Sequence, residues 1–258
     1  MPSPSSAPSS SSSSSRRPYV IGAGVAVAAA LLGFASYTAT KPADRAPDSA
    51  PAASAEASTP PGAGVYPELE AYARRDAGDP LATGRADAPV VMIEYADFRC
   101  GYCGKFARDT EPELIRRYVE KGVLRIEWRN LPIFGEESER AARAAWAAGR
   151  QGRFWEFHRA AYAEGAKEQG FSTERVTALA REAGVADLDR FARDLDGAAA
   201  RDAVAADQRQ GERLGAASTP SFLVNGRPIA GAQPLETFTQ TIDAAAAAAK
   251  KSGPAAGR

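Results

Sequence analysis

The chain has 258 residues, with 32 basic and 32 acidic side chains, one histidine and two cysteines. That length holds one sizeable domain with appendages, and the neutral balance offers neither a basic face for nucleic acid nor an acidic tail for a cationic partner. Two cysteines are too few for a disulfide framework, and with a single histidine they fall short of the four ligands zinc needs.

Residues 1–17 open on a run of Ser and Pro, too polar to build a core, and close on Arg16 and Arg17. The next 23 residues, Pro18 to Thr40, carry no charge. About 20 apolar residues cross a bilayer as a helix, and the paired arginines upstream hold the N-terminus in the cytoplasm. Residues 18–40 therefore read as a single-pass signal-anchor. A cleaved signal peptide would need a small-x-small cleavage site, which Ala35-Ser36-Tyr37 and Thr38-Ala39-Thr40 match poorly; a twin-arginine export signal is the third reading. All three place the rest of the chain at the cell membrane's outer side or beyond it, where disulfides persist. Residues 41–65 hold five prolines and no aromatic residue, which makes a semi-extended linker with nothing to bury.

Tyr66 to Ala73 reads as a short amphipathic helix leading into the domain, and Asp79-Pro80 and Asp87-Ala88-Pro89 as turns. The apolar run 90–96, broken only by Glu94, is a strand buried on both faces. A helix starts at the cysteines, with Tyr102, Phe106, Leu114, Ile115, Tyr118 and Val119 at helical spacing. Glu111-Pro112 should kink it and Gly122 should end it. Residues 123–129 alternate with period two, placing Leu124, Ile126 and Trp128 on one face of a strand. From about 136 to 214 the chain is helical almost throughout, with Ser172 and Asp187 as helix starts. Ser221 to Val224 returns to strand, Asn225-Gly226 turns a hairpin into Arg227 to Ala230, and Pro234 opens the last helix. The strand-helix-strand unit calls for parallel first strands, giving an α/β domain with an all-helical insert.

Cys100 and Cys103 stand as Cys100-Gly101-Tyr102-Cys103 at the junction of strand and helix. A dithiol two residues apart can close and open without a third thiol, so this is a redox site. Asp97-Phe98-Arg99-Cys100-Gly101-Tyr102-Cys103, then Gln151 to His158, then Ser218-Thr219-Pro220-Ser221-Phe222-Leu223-Val224-Asn225-Gly226 together resemble the DsbA-like thiol–disulfide oxidoreductases. These are members of the thioredoxin superfamily whose fold is split by a helical insertion. The resemblance covers roughly residues 66–250, within a domain running 66–258.

Cys100 at a helix N-terminus has its thiolate stabilised by free N–H groups and the helix dipole, which makes it the nucleophile. Cys103, one turn along, is the resolving thiol. The resemblance implies a redox disulfide Cys100–Cys103, a cis Pro220 preceded by Thr219 at the substrate-binding edge, and a proton-transfer role for Glu94. It also implies a monomer that exchanges disulfides with exported proteins carrying thiols, needs no metal or organic cofactor, and relies on an unidentified redox partner to recycle the dithiol. His158, among aromatic residues and far in sequence from the dithiol, reads as structural. Lys105 and Arg99 flank the site as solvated charges. An oxidase is favoured; Gly101-Tyr102 is instead the dipeptide of the DsbC isomerases, and a chaperone-like binding module with a static bridge is a third reading.

Overall fold

The computed structural model describes residues 64–252. The expected segments 1–17 and 18–40, nearly all of the linker 41–65, and the last six residues lie outside the described residues. Among the described residues, no helix is long and apolar enough to cross a membrane.

A five-stranded sheet organises the domain. Its strands are β1 (Ala82–Thr83), β2 (Val90–Ala96), β3 (Leu124–Asn130), β4 (Ser221–Val224) and β5 (Arg227–Ala230), in the spatial order β1-β3-β2-β4-β5. β2 and β3 pair in parallel, as the strand-helix-strand order requires, and all other neighbours are antiparallel. β2 sits at the centre with all seven residues buried. Its register sets Glu94 between Trp128 on one side and Phe222 on the other.

Helix α1 follows the dithiol as α-helical Gly101–Lys105, π-helical Phe106–Thr110, α-helical Glu111–Leu114 and π-helical Ile115–Val119. The expected kink at Glu111-Pro112 is replaced by a widened turn. The Glu111 N–H reaches back five residues to the Phe106 carbonyl, and Pro112 falls in the first turn of the next α-helical stretch, where its missing N–H is not needed. Gly122, with φ of 70°, terminates the helix as expected.

One further expectation is corrected, and two features went unread. Pro67–Tyr72 forms a 3-10 helix, because this segment is fixed by tertiary bonds: Tyr66 N–H to the Gly226 carbonyl, and the Arg74 and Arg75 N–H groups to the Glu127 carboxylate. β1 went unread because two residues carry no periodicity. In β3, Leu124, Ile126 and Trp128 do share a buried face, but Arg125, Glu127 and Arg129 opposite them are buried too. Arg125 Nε and Arg129 Nη2 hold Glu127 from both sides at 2.9 and 2.7 Å.

The helical insert comprises α2 (Glu136–Gly149), α3 (Phe154–Ala161), α4 (Thr173–Glu182), α5 (Leu188–Asp196) and α6 (Ala198–Arg213). Ser172 and Asp187 cap α4 and α5 by accepting the N–H of Arg175 and Arg190. The hairpin turn at Asn225-Gly226 leads into β5, and α7 (Leu235–Ser252) closes the chain. Gly226 has φ of 77°, and any Cβ there would stand 2.3 Å from the Tyr66 carbonyl oxygen.

Two cores flank the sheet face that carries Glu94. One lies under α1 and α7, with Met92, Phe106, Ile126, Phe222, Phe238 and Ile242. The other fills the insert with Phe154, Phe157, Phe171 and Phe191, and extends to Phe98, Trp128 and both cysteines.

Candidate functional site

β2 delivers the chain to Asp97, and the residues that follow turn sharply into α1. Asp97 shapes this turn. Its carbonyl accepts the Cys100 N–H at 3.0 Å and its Oδ1 accepts the Arg99 N–H at 2.8 Å. Its Oδ2 accepts the N–H groups of Ile133 and Phe134 at 2.7 and 3.3 Å, tying the dithiol loop to the loop after β3. Tyr162, just past α3, donates its phenol to the Asp97 carbonyl at 2.9 Å. Asp97 entered the sequence reading only as the first residue of the dithiol motif, with no role, and Tyr162 not at all. Asp97, at offset two before Arg99 in a strand-to-helix turn, carried a readable Asx-turn signal; Tyr162 carried none beyond its place after an aromatic helix.

Cys100 occupies the N-cap position of α1, with Cys103 one turn inside. Both are free thiols, so the structure is that of the dithiol. Their environments differ sharply. The Cys100 thiol is lowered to about 6, first by the hydrogen bond from the Cys103 thiol, next by the Thr219 side chain, and then by the Cys103 and Tyr102 N–H groups at the helix start; burial works against it. Cys103 has no exposed surface, and burial followed by the neighbouring Cys100 pushes its thiol far above the ordinary range.

The Cys100 Sγ donates to the Thr219 carbonyl at 3.2 Å. Thr219 leads into Pro220 through a cis peptide bond, immediately before β4. The Thr219 hydroxyl is buried, and as a donor it favours the Cys100 thiolate, which cannot itself donate. The structure thus brings Thr219 and Pro220 against Cys100.

Glu94 points from β2 into the face shared with α1. Both its oxygens are buried with no hydrogen-bond partner among the described residues. Burial first, and the charge of Glu111 second, raise its carboxyl well above the usual range. Lys105 and Arg99 are paired at the surface with Asp109 and Glu137, so they add little field at the thiol. His158 is buried in the aromatic cluster, within 4.9 to 6.1 Å of the rings of Tyr162, Trp128 and Phe98.

Around the thiol, Tyr102, Phe134 and Ile133 are large apolar side chains left 70, 48 and 41% exposed. Beside them a cleft of about 320 Å³ is lined by Phe98, Cys100, Gly101, Arg108, Tyr162 and Lys167. Among the described residues, no group of three or more His, Cys, Asp or Glu is placed to hold a metal ion. A low-pKa sulfur lining a cleft, a high-pKa sulfur sealed behind it and an apolar surround can together exchange disulfides with a flexible polypeptide.

Residues 76–244 match a family model described as thioredoxin. A Na(+)/H(+) antiporter NhaA 3 of Salinispora tropica is 32% identical over 169 residues, 65% of this chain and 25% of the antiporter. The chain thus spans about a quarter of the antiporter relatives it matches. The disulfide bond formation protein D of Bacillus subtilis is 25% identical over 173 residues, 64% of this chain and 76% of that protein. The crystal structure of oxidised BdbD from Bacillus subtilis superposes with a TM-score of 0.61 at 22% identity, covering 66% of this chain and 94% of that one.

Proposed function

Because the chain belongs to the thioredoxin family, in its DsbA-like form with a helical insertion, we propose that it oxidises the thiols of exported proteins outside the cytoplasm, tethered to the membrane by residues 18–40. The observation that carries this reading is the asymmetry of the dithiol. Cys100 is poised as a stable leaving thiolate beside the Thr219 edge, and Cys103 is sealed behind it. The name of the Bacillus subtilis relative, a disulfide bond formation protein, supports the same chemistry. Sodium–proton exchange belongs to the antiporter relatives, of which this chain matches a quarter.

The reaction starts from the Cys100–Cys103 disulfide. A substrate thiolate attacks Cys100 Sγ and breaks that bond, and Cys103 leaves as a thiolate that takes a proton from Glu94. A second substrate thiolate then attacks the substrate sulfur of the mixed disulfide and expels Cys100 as a thiolate. The substrate loses two electrons, the protein gains them, and an external oxidant must restore the disulfide. Tyr102, Ile133 and Phe134 offer apolar contact to an unfolded chain, and the Thr219 backbone offers it an edge.

Exchange with glutathione disulfide tests the reading. Cys100→Ser should form no mixed disulfide, whereas reduced Cys103→Ser should accumulate one, visible as a mass increase under non-reducing conditions. Wild-type rates in both variants would overturn it.

A further inference from the structure

Behind Cys103 lies a second buried acid that the reaction above leaves unused. Glu111 stands on the inward stripe of α1, one turn before Leu114, and is 3% exposed. Among the described residues its Oε1 has no hydrogen-bond partner, and neither do the two oxygens of Glu94 on β2 nor the two ring nitrogens of His158 on α3. Three elements therefore aim three unpartnered titratable groups into one buried region. His158 Nδ1 is 3.7 Å from Glu111 Oε2, and the charge of Glu111 reaches Glu94, whose own charge reaches Cys103.

An unpartnered buried carboxyl destabilises a fold, and Leu or Met would fill the same space without that cost. The concentration of such groups beside a buried thiol calls for a use. Taking the proposed thiol exchange as the reaction, we infer that Glu94 and Glu111 form a two-carboxyl proton relay for Cys103, with His158 positioning the outer carboxyl. When the Cys103 thiol must become a nucleophile, its proton passes to Glu94 while the Glu94 proton passes to Glu111. Cys103–SH and the Glu111 carboxylate become Cys103–S⁻ and a neutral Glu111, and Glu94 ends as it began. The reverse transfer reprotonates Cys103 when it leaves.

Neutral Glu111 can then donate its hydroxyl to His158 Nδ1, which accepts because the ring is uncharged: burial and the neighbouring Arg159 hold it at about 3. Glu111 itself is raised by burial to about 8, against the opposing charge of Arg159. The groups facing the pair are Cys103 on α1, and His158 and Arg159 on α3. Tyr162, whose phenol is held by the Asp97 carbonyl, follows α3 beside them. Trp128, beside Glu94 on β3, adds no charge.

The test uses the full-length chain with glutathione preloaded on Cys100, and follows release of glutathione by Cys103 as a function of pH. Glu94→Gln and Glu111→Gln should each slow release about tenfold or more near neutral pH. The double variant should be no slower than Glu94→Gln alone, since both act in one path. His158→Leu removes the acceptor that favours neutral Glu111, so the wild-type inflection should move to lower pH. Multiplicative effects of the two Gln variants, or an unmoved inflection in His158→Leu, would overturn the relay. Should a variant fail to fold, infrared titration of the wild-type disulfide form decides. Two buried carboxyls that are protonated at neutral pH and ionise in separate steps support the relay, and one step or none overturns it. A wild-type chain that exchanges glutathione normally while failing these tests loses the relay alone; one that does not exchange at all loses the oxidoreductase reading and the relay with it.

Discussion

At Cys100 the size of the thiol shift decides how much oxidising power it confers. With its thiol at about 6, thiolate outnumbers thiol about tenfold at pH 7. Against an ordinary thiol near 8.5, that stabilises the reduced form by about 1.4 kcal/mol, or ~30 mV for a two-electron couple. The Cys103 hydrogen bond and the smaller contributions beside it thus stabilise the reduced form only moderately. The reduction potential should fall by about 60 mV per pH unit while both reduced cysteines carry protons, and by about 30 mV per unit once only Cys103 does. A break in slope near pH 6, measured against glutathione buffers, is the expected result. A single slope from about pH 5 to 8 would return Cys100 to an ordinary thiol.

Among the elements, β3 departs furthest from what its pattern promised. The alternation Leu124-Arg125-Ile126-Glu127-Trp128-Arg129 is genuine, but the N-terminal segment and α6 cover its charged face. Arg74 bridges to the buried Asp207 of α6, which also accepts the N–H and side-chain amide of Asn130. Glu127 accepts four hydrogen bonds, two from guanidinium groups of its own strand and two from the backbone of residues 74 and 75. Burial alone would raise its carboxyl and is the largest influence, but these donors together hold it at about 2. Removing one partner of a buried ion network costs about 3–5 kcal/mol. Glu127→Gln should therefore lower unfolding stability by roughly 3 kcal/mol, read from urea melts at pH 7. The network's contribution is complete above the unfolded value of 4.5 and is lost as pH falls toward about 2. His158, neutral in the fold and held at about 3, adds a loss of the same sign between 6.5 and 3. Acid should unfold the wild type, and Glu127→Gln should show a shallower acid limb; an unchanged limb would remove Glu127 from the account.

For the whole molecule, the main consequence of the insert is where it puts the dithiol. Cys100 and Cys103 belong to the insert's core rather than to the one under α1 and α7. Phe98 joins the two halves, its ring 5.1 Å from both Trp128 and Tyr162. The insert thus supplies the desolvation that silences Cys103 and one wall of the cleft beside Cys100. A cleft bounded by one chain suits a brief encounter with an unfolded substrate, whereas rearranging wrong disulfides needs prolonged holding. The expected outcome is a monomer that oxidises a reduced, unfolded protein faster than it restores a scrambled one. Sedimentation showing a dimer, together with the opposite order of rates, would favour the isomerase reading that Gly101-Tyr102 raises.

Much of this was legible without coordinates, because the signals were local or periodic. The dithiol at a strand-to-helix junction, the buried β2, the caps at Ser172 and Asp187 and the Asn225-Gly226 hairpin each depend on a few adjacent residues. Glu94 declared itself as an acid inside an apolar run. The sequence by itself determined the α/β class, the helical insert and the dithiol's place at the junction of strand and helix. What only the tertiary structure decided involves groups brought together from distant positions. Arg125, Glu127 and Arg129 read only as the polar half of an alternation, and the fold buries them under α6 and residues 74–75. Glu111 read as the residue before a proline, until the fold set its Oε2 3.7 Å from His158 Nδ1. Periodicity reports which face of an element is apolar. It cannot report that a polar face has found polar partners, because that pairing is a property of the assembled layers.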